Sequence, residues 1–506
     1  MSNQTTASPS FNSGAPSPAN RTRNNAFFEE YGIVDSVNYP LSQVRGLPSV
    51  KPGELVKFES GALGRVMSFT QNLAEIMILS QEAIKVGSQV EHFQEETSVP
   101  VGDGLLGQVI SPLGVALIGA QVETESRPLE NPIPPLFERT RIVFPLRTGV
   151  SLVDMLLPLG RGQRELIVGD RKTGKTAFAL KTMRKQAQEG SIIVYAGIAK
   201  KTDEIKRIQA FTKAEGIDKQ TVIVASFPHE PASIISLTPH TAVRIAEHFR
   251  DEGKDVLVVL DDMTNHAKYY RELALLGKRF PGRDSYPGDI FFEHARMLER
   301  GGSFIHPKDS SKSVHITFLP LAETANSNLT DYIISNLISI TDGHLLFDTT
   351  LFQQGRRPAI HTSLSVTRVG KQTQTPLQRD ITRKLSTFFN KFEKTKNLTH
   401  FAAEISPESQ RLLQTGKILA SFFDETNEVS LPSPIQLTLV AMIWLGWMST
   451  LGKKTLQRYR DSLLKTYTEN KEIAQQLDEL CEAENFEDFL KIVKEKQHWL
   501  MQLCQT

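Results

Sequence analysis

Short alternating or wholly apolar runs fill the chain from Tyr31 to about Glu95: "GIVDSV", "ELVKFES", "GRVMSFT", "AEIMIL" and "GSQVEHF", broken by Pro and Gly at "VKPGEL" and "KVGSQV". Strands of this length and spacing predict a small β-barrel or sandwich. After Val99 the texture changes to near-continuous apolar runs separated by helical spacing: "ELIVGD" (165–170), "SIIVYAG" (191–197), "TVIVAS" (221–226), "VLVVLDD" (256–262) and "VHITFLPL" (314–321). Such strands belong to a mostly parallel sheet covered on both faces. Beyond about Gln374 long charged and Leu-rich segments, ending in "DFLKIVKEKQHWLMQL", predict helices. The expected order is an N-terminal β-barrel (26–95), a central α/β domain (96–373) and a C-terminal α-helical bundle (374–506). Residues 1–25, rich in Ser, Asn, Pro and Thr, bury too little apolar surface to offset the cost of ordering and are expected to form a disordered tail.

Composition narrows the classes. A chain of 506 residues suggests more than one domain, and its net charge of +1 lacks the basic excess of a nucleic-acid-binding protein. The two cysteines, Cys481 and Cys504, offer neither metal-ligand spacing nor a disulfide framework. The longest apolar stretch, "IQLTLVAMIWLGWM" (435–448), is too short to span a bilayer and contains Gln436, so a buried helix is expected and no direct bilayer insertion.

Candidate chemistry centres on "GDRKTGKT" (169–176), which fits G-x-x-x-x-G-K-[ST], follows a predicted strand and opens a predicted helix. Gly169 and Gly174 let the backbone wrap a phosphate; Lys175 adds a point charge, and the Thr176 hydroxyl is placed for Mg²⁺. About 85 residues on, "VLVVLDD" ends a buried strand in Asp261 and Asp262. Asp261 is the candidate for the metal side, usually through a water. The plainer alternative is a strand running into an acidic helix cap.

Longer segments carry a family resemblance. "GRGQRELIVGDRKTGKTA" (160–177), "RFPGRDSYPGDIFFEHARMLER" (279–300), "LISITDGHLLFD" (337–348) and "RRPAIHTSLSVTRVG" (356–370) resemble the α subunit of F-type ATP synthases, in a divergent, bacterial-type form. The likeness runs almost continuously from Tyr31 to about Val369. It implies a barrel, a P-loop (RecA-like) nucleotide domain and a helical domain, and a subunit that alternates with β subunits in an α3β3 hexamer. ATP or ADP with Mg²⁺ is the implied ligand. The contacts implied are Gly169, Asp170, Arg171, Lys172, Thr173, Gly174, Lys175, Thr176 and Ala177, with Arg357 and Pro358 at the adenine and Thr176 and Asp261 at the metal. The central-stalk γ subunit and a peripheral stalk are the further implied partners. The place implied is the cytoplasmic face of the bacterial plasma membrane, where the complex couples ATP synthesis or hydrolysis to H⁺ or Na⁺ transport.

Within that family, catalytic β subunits resemble "GVGERTREG" at the exit of the next strand, where the first Glu orients the attacking water, and α subunits carry Gln. Here "YAGIAKKTDE" (195–204) places Lys200, whose ammonium cannot accept a proton. Glu204 is the candidate replacement base; the plainer reading is an acidic helix start formed by Asp203 and Glu204. The nucleotide is therefore expected to be held rather than cleaved. Arg368 in "SVTRVG" matches the family arginine that reaches the neighbouring β site in trans.

Three departures stand out. Residues 1–25 lack the amphipathic helix that docks the stalk δ subunit. "FFDETNEVSLPSP" (422–434) replaces the family's adenine-side "KQGQYSP". "LDELCEAE" (477–484) resembles the acidic rotor-facing loop of β subunits but lies near the C-terminus, where an acidic helix face explains it. The rival readings are an autonomous or β-like hexameric P-loop ATPase using Glu204, of the secretion-ATPase or helicase type, and a structural subunit with an empty site.

Overall fold

The computed structural model describes residues 30–70, 72–119, 124–399, 406–424, 430–448 and 453–505. The expected tail lies outside the described residues.

Six strands, β1 (Tyr31–Asn38), β2 (Leu41–Arg45), β3 (Leu55–Phe58), β4 (Leu63–Phe69), β5 (Leu73–Ile78) and β6 (Gln89–Gln94), close into a barrel in the order β1-β2-β5-β4-β3-β6. Of the two architectures open to the sequence, the chain adopts the barrel. Pairing of β1 with β6, Tyr31 opposite Glu91, completes the circle and leaves no free edge. Alternation does the rest: Val34, Val44, Val56, Val66, Ile76 and Val90 point inward and form a separate apolar core.

The central domain is built on a ten-stranded sheet. Its strands are β7 (Val109–Ile110), β8 (Ala116–Ile118), β9 (Glu165–Gly169), β10 (Ile192–Gly197), β11 (Thr221–Ala225), β12 (Val256–Asp261), β13 (Gly302–His306), β14 (Asp309–Glu323), β15 (Gly343–Phe347) and β16 (Val366–Thr367). They lie in the order β16-β15-β9-β14-β12-β10-β11-β7-β8, with β13 hairpinned onto β14. The run from β15 to β7 is parallel, and the outer partners β16 and β8 are antiparallel.

Both faces are buried, which is why the strands read as continuous apolar runs. Ile167, Tyr195, Val259 and Leu321 pack on one side against Phe178 and Met183 of helix α1 (Lys175–Gln188). After α2 (Thr202–Ala214), the helices α3 (Ala232–Asp251) and α4 (Met263–Leu276) cover the other face, where Leu166, Val168, Val194 and Val258 meet Val243, Phe249 and Met263.

The helical region contains α5 (Pro376–Thr399), α6 (Pro407–Phe423), α7 (Ser433–Trp444), α8 (Lys453–Glu469), α9 (Lys471–Leu480), α10 (Phe486–Glu495) and α11 (Gln497–Gln505). Helix α7 is buried from Ile435 to Ile443 on every side, as its uninterrupted apolar sequence requires. Of its two buried polar side chains, Gln436 is satisfied, Nε2 donating to the Leu431 carbonyl at 2.8 Å, while the Thr438 hydroxyl makes no hydrogen bond among the described residues. No helix among the described residues is long and apolar enough to cross a membrane. On α9 and the turn after it, Leu477 and Leu480 face inward while Asp478, Glu479, Glu482 and Glu484 are exposed. Cys481 and Cys504 are free thiols, each pushed up to about 12 by burial.

Candidate functional site

Strand β9 delivers the loop from the centre of the sheet. At its end Gly169 takes φ +155°, and a side chain there would overlap the backbone carbonyl of Phe347. Gly174, at φ +103°, makes the left-handed step that opens α1. Between them the loop is tied to itself. Thr173 Oγ1 donates to the Asp170 carbonyl at 2.8 Å, and Lys175 Nζ donates to the carbonyls of Gly169 and Asp170 at 2.7 Å each. Burial lowers the Lys175 pKa, against the opposing pull of Glu323, Asp262 and Asp261. The free N–H groups at the start of α1 and this ammonium form an anion cradle.

The remaining loop residues divide. The Asp170 carboxylate turns into the protein, accepting from Thr324 Oγ1 (2.6 Å), the Ser327 amide (2.8 Å) and Thr349 Oγ1 (2.8 Å). Burial pushes its pKa up, but these bonds outweigh it and hold the group below the ordinary aspartate value. Its side chain thus anchors the loop to the segments that follow β14 and β15. Arg171, exposed, pairs with Glu323 at 2.7 Å. Lys172, at φ +62°, and Ala177 are exposed beside the cradle.

Register brings the second half of the site together. Gly197 of β10 lies opposite Asp261 of β12, so Lys200, three residues past Gly197, emerges beside that carboxylate. Lys200 Nζ is 2.6 Å from Asp261 Oδ1. Asp261 Oδ2 accepts from Tyr195 Oη at 2.7 Å and from Thr176 Oγ1 at 3.3 Å. Burial and the Asp261 charge push the Tyr195 hydroxyl well up, so it stays a donor. Burial would lower the Lys200 pKa, but Asp261 outweighs it and the ammonium stays charged.

The two neighbouring aspartates split the roles proposed for them. Asp262 caps α4, accepting from the Asn265 amide at 2.9 Å, and burial raises it to about 6. Asp261 is the one that bonds a loop side chain, Thr176, while the charge of Asp262 also reaches Lys175. Glu204 is exposed at the start of α2, where its carboxylate accepts from the Lys201 amide at 3.3 Å, as the plainer reading of that acid requires.

Thr176 and Asp261 are brought together as a Mg²⁺ site needs, yet the donor set does not fit the ion. Both Asp261 oxygens are engaged, one of them by a permanent cation. At an effective dielectric of about 20, a unit and a double positive charge about 5 Å apart repel by roughly 7 kcal/mol. The carboxylate that a metal would use is already neutralised.

Arg357 and Pro358 line a cavity of about 210 Å³ with Leu351, Ile360, Phe389 and Phe423. The Arg357 guanidinium lies 3.6 Å from the centre of the Phe352 ring, and its amide donates to Asp424 at 2.9 Å. Of the altered segment 422–434, residues 425–429 lie outside the described residues.

Arg368 is elsewhere. It follows β16, whose Thr367 pairs with Gly343, itself level with Glu165 at the start of β9. The phosphate loop begins at the other end of that strand, roughly 13 Å away along its axis. The guanidinium is exposed, and its field reaches Glu165, which burial raises far above the ordinary range, and His344.

Comparison with known proteins agrees with this arrangement. The model of the ATP synthase alpha/beta family, nucleotide-binding domain, matches residues 149–367. "ATP synthase subunit alpha 1" of Psychromonas ingrahamii is 35% identical over 443 residues, covering 87% of this chain and 85% of that protein. "ATP synthase subunit alpha 1" of Chlorobium luteolum is 38% identical over 394 residues (77% and 76%), and "ATP synthase subunit alpha" of Macrococcus caseolyticus is 35% identical over 438 residues (86% of each). The chain belongs to the ATP synthase α-subunit family.

As an α subunit it has the nucleotide-binding domain of its family and the barrel and helical region on either side. Tyr195, Thr324, Ser327 and Thr349 escaped the sequence reading of this α-subunit site. Only Tyr195 left a trace: a phenol inside an otherwise apolar strand must find an acceptor when buried.

Proposed function

We propose that this chain is a non-catalytic, nucleotide-holding α subunit of a rotary ATP synthase, active in turnover only through Arg368 at a neighbouring β site. The observation that carries the first half is Lys200. The position where a water-orienting carboxylate would be needed holds an ammonium bound to Asp261, and an ammonium cannot activate water. Glu204 is occupied as a helix cap, and Glu323, whose charge reaches Lys175, is paired with Arg171.

The second half rests on family membership and on the position of Arg368, exposed and remote from its own loop. On this reading the arginine steadies negative charge on the γ-phosphate across the interface, an effect worth about 10³–10⁵ in rate for fingers supplied in trans. Gly169, Gly174, Lys175, Thr176 and the α1 N-terminus hold the phosphates, and the cavity beside Arg357 and Pro358 takes the base. The partners proposed are β subunits in an alternating hexamer, a central γ stalk and a peripheral stalk. The complex would sit on the cytoplasmic face of a bacterial plasma membrane and couple ATP chemistry to H⁺ or Na⁺ movement.

The test is ATP binding and turnover by the purified chain, alone and after mixing with its cognate β subunit. Binding without turnover alone, with turnover on mixing that collapses in Arg368→Ala, is the expected result. Steady turnover by the chain alone, lost in Glu204→Gln, would instead assign it to the catalytic half of the interface.

A further inference from the structure

The arrangement around Asp261 says more than that a base is missing. In a P-loop site a carboxylate at the end of a nearby strand would repel the phosphates it faces, and a divalent ion normally lies between the two. Here a cation attached to the chain is already against that carboxylate: Lys200 Nζ at 2.6 Å from Asp261 Oδ1. The other oxygen is filled by the Tyr195 and Thr176 hydroxyls. The ammonium has three donors and gives one to Asp261. Its side chain is 15% exposed, so the cluster still opens to the surface. Lys175, from the loop itself, supplies a second fixed positive charge, facing the same cradle.

We propose that Lys200 replaces the divalent cation in this subunit, so that the loop Gly169–Thr176 binds its nucleoside polyphosphate metal-free. This rests on the reading of the loop as a nucleotide site. The ligand is recognised by backbone N–H groups, Lys175 and the spare donors of Lys200. Asp261 acts as a positioning residue that orients Lys200 and does not coordinate a metal.

The experiment is equilibrium binding of a fluorescent ADP to the full chain in excess EDTA and in excess MgCl₂, paired with electron paramagnetic resonance of Mn²⁺ added to the ADP-loaded protein. The wild type should bind with affinities that agree within about threefold in the two media and should retain no stoichiometric Mn²⁺. Lys200→Gln, which frees Asp261, should bind at least about tenfold more tightly with Mg²⁺ than without and should hold one Mn²⁺ per bound ADP. Wild-type binding that is about tenfold tighter with Mg²⁺, or a stoichiometric Mn²⁺ signal in the wild type, overturns the proposal while leaving the nucleotide reading intact. Absence of ADP binding in both media overturns the two together. The wild-type measurements decide the matter even where the variant fails to fold.

Discussion

Two buried carboxylates in the central domain, Asp261 and Glu247, are each neutralised by a basic side chain, and their surroundings differ in two respects. Glu247, on α3, is fully enclosed. Arg300 grips both its oxygens at 2.7 and 2.6 Å, while Arg244 and Asn131 add bonds at 3.1 and 2.9 Å. Every partner there is part of the scaffold, and burial is outweighed by Arg300, so the acid stays ionised. Asp261 has a comparable set of partners, but one of them, Thr176, belongs to a phosphate loop, and another, Lys200, reaches the surface. Burial and pairing alone do not mark a functional group. Adjacency to an anion cradle does.

The contrast can be broken most forcefully at Glu247. Glu247→Gln leaves Arg300 buried without its counter-charge and should cost about 3–5 kcal/mol in urea unfolding, with nucleotide affinity unchanged in the protein that remains folded. An affinity loss larger than the stability loss would erase the distinction between the two sites.

A third buried group, lacking a full counter-charge, sharpens it. His294 is enclosed, 3.1 Å from His266, and burial holds its pKa at about 4. The unfolded chain takes up this proton near pH 6.5 and the folded one only near 4, so stability should fall as pH drops through that window and level off below it. At about 1.4 kcal/mol per pH unit the loss amounts to about 3 kcal/mol, read from unfolding midpoints, and His294→Gln should flatten the slope.

Lys175→Ala tests the opposite pole. Loss of charge-assisted bonds to the phosphates, worth about 1.5–3 kcal/mol, should weaken ADP binding roughly 10- to 100-fold in a titration. The melting temperature without nucleotide should move little by comparison. Smallest of all is Glu204→Gln. A helix-start acid is worth under about 1 kcal/mol, so stability should barely change, and turnover of the assembled complex should not change. A large drop in turnover would place Glu204 in the chemistry.

The sequence disclosed the loop, the order of the three regions and the buried strands, because those features are written in local period and in glycine placement. It disclosed less where contacts are distant. The strands Val109–Ile110 and Val366–Thr367 are two residues each, too short for any periodicity. The first five residues of the long strand Asp309–Glu323 are polar and at least partly exposed, which hides its hairpin with Gly302–His306. The lysine at 200 was legible as the absence of a base. Its bond to Asp261 was not, because it depends on two strands becoming neighbours in one register. The anchors of Asp170 were hidden for the same reason: three of its partners come from segments some 150 to 180 residues downstream.

The apolar cluster on the α1 side of the sheet does not stop at the domain boundary. Phe178 and Phe347, at the foot of the phosphate loop, belong to the same continuous cluster as Leu385, Phe422, Leu439, Phe489 and Leu500 of the helical region. The junction also holds open space, a cavity of about 210 Å³ between Leu351 and Phe389, so the two regions share apolar contacts around a gap and not a solid seam. A substitution that loosens packing among the far helices is therefore expected to be felt, through adjoining side chains, at the floor of the nucleotide cradle.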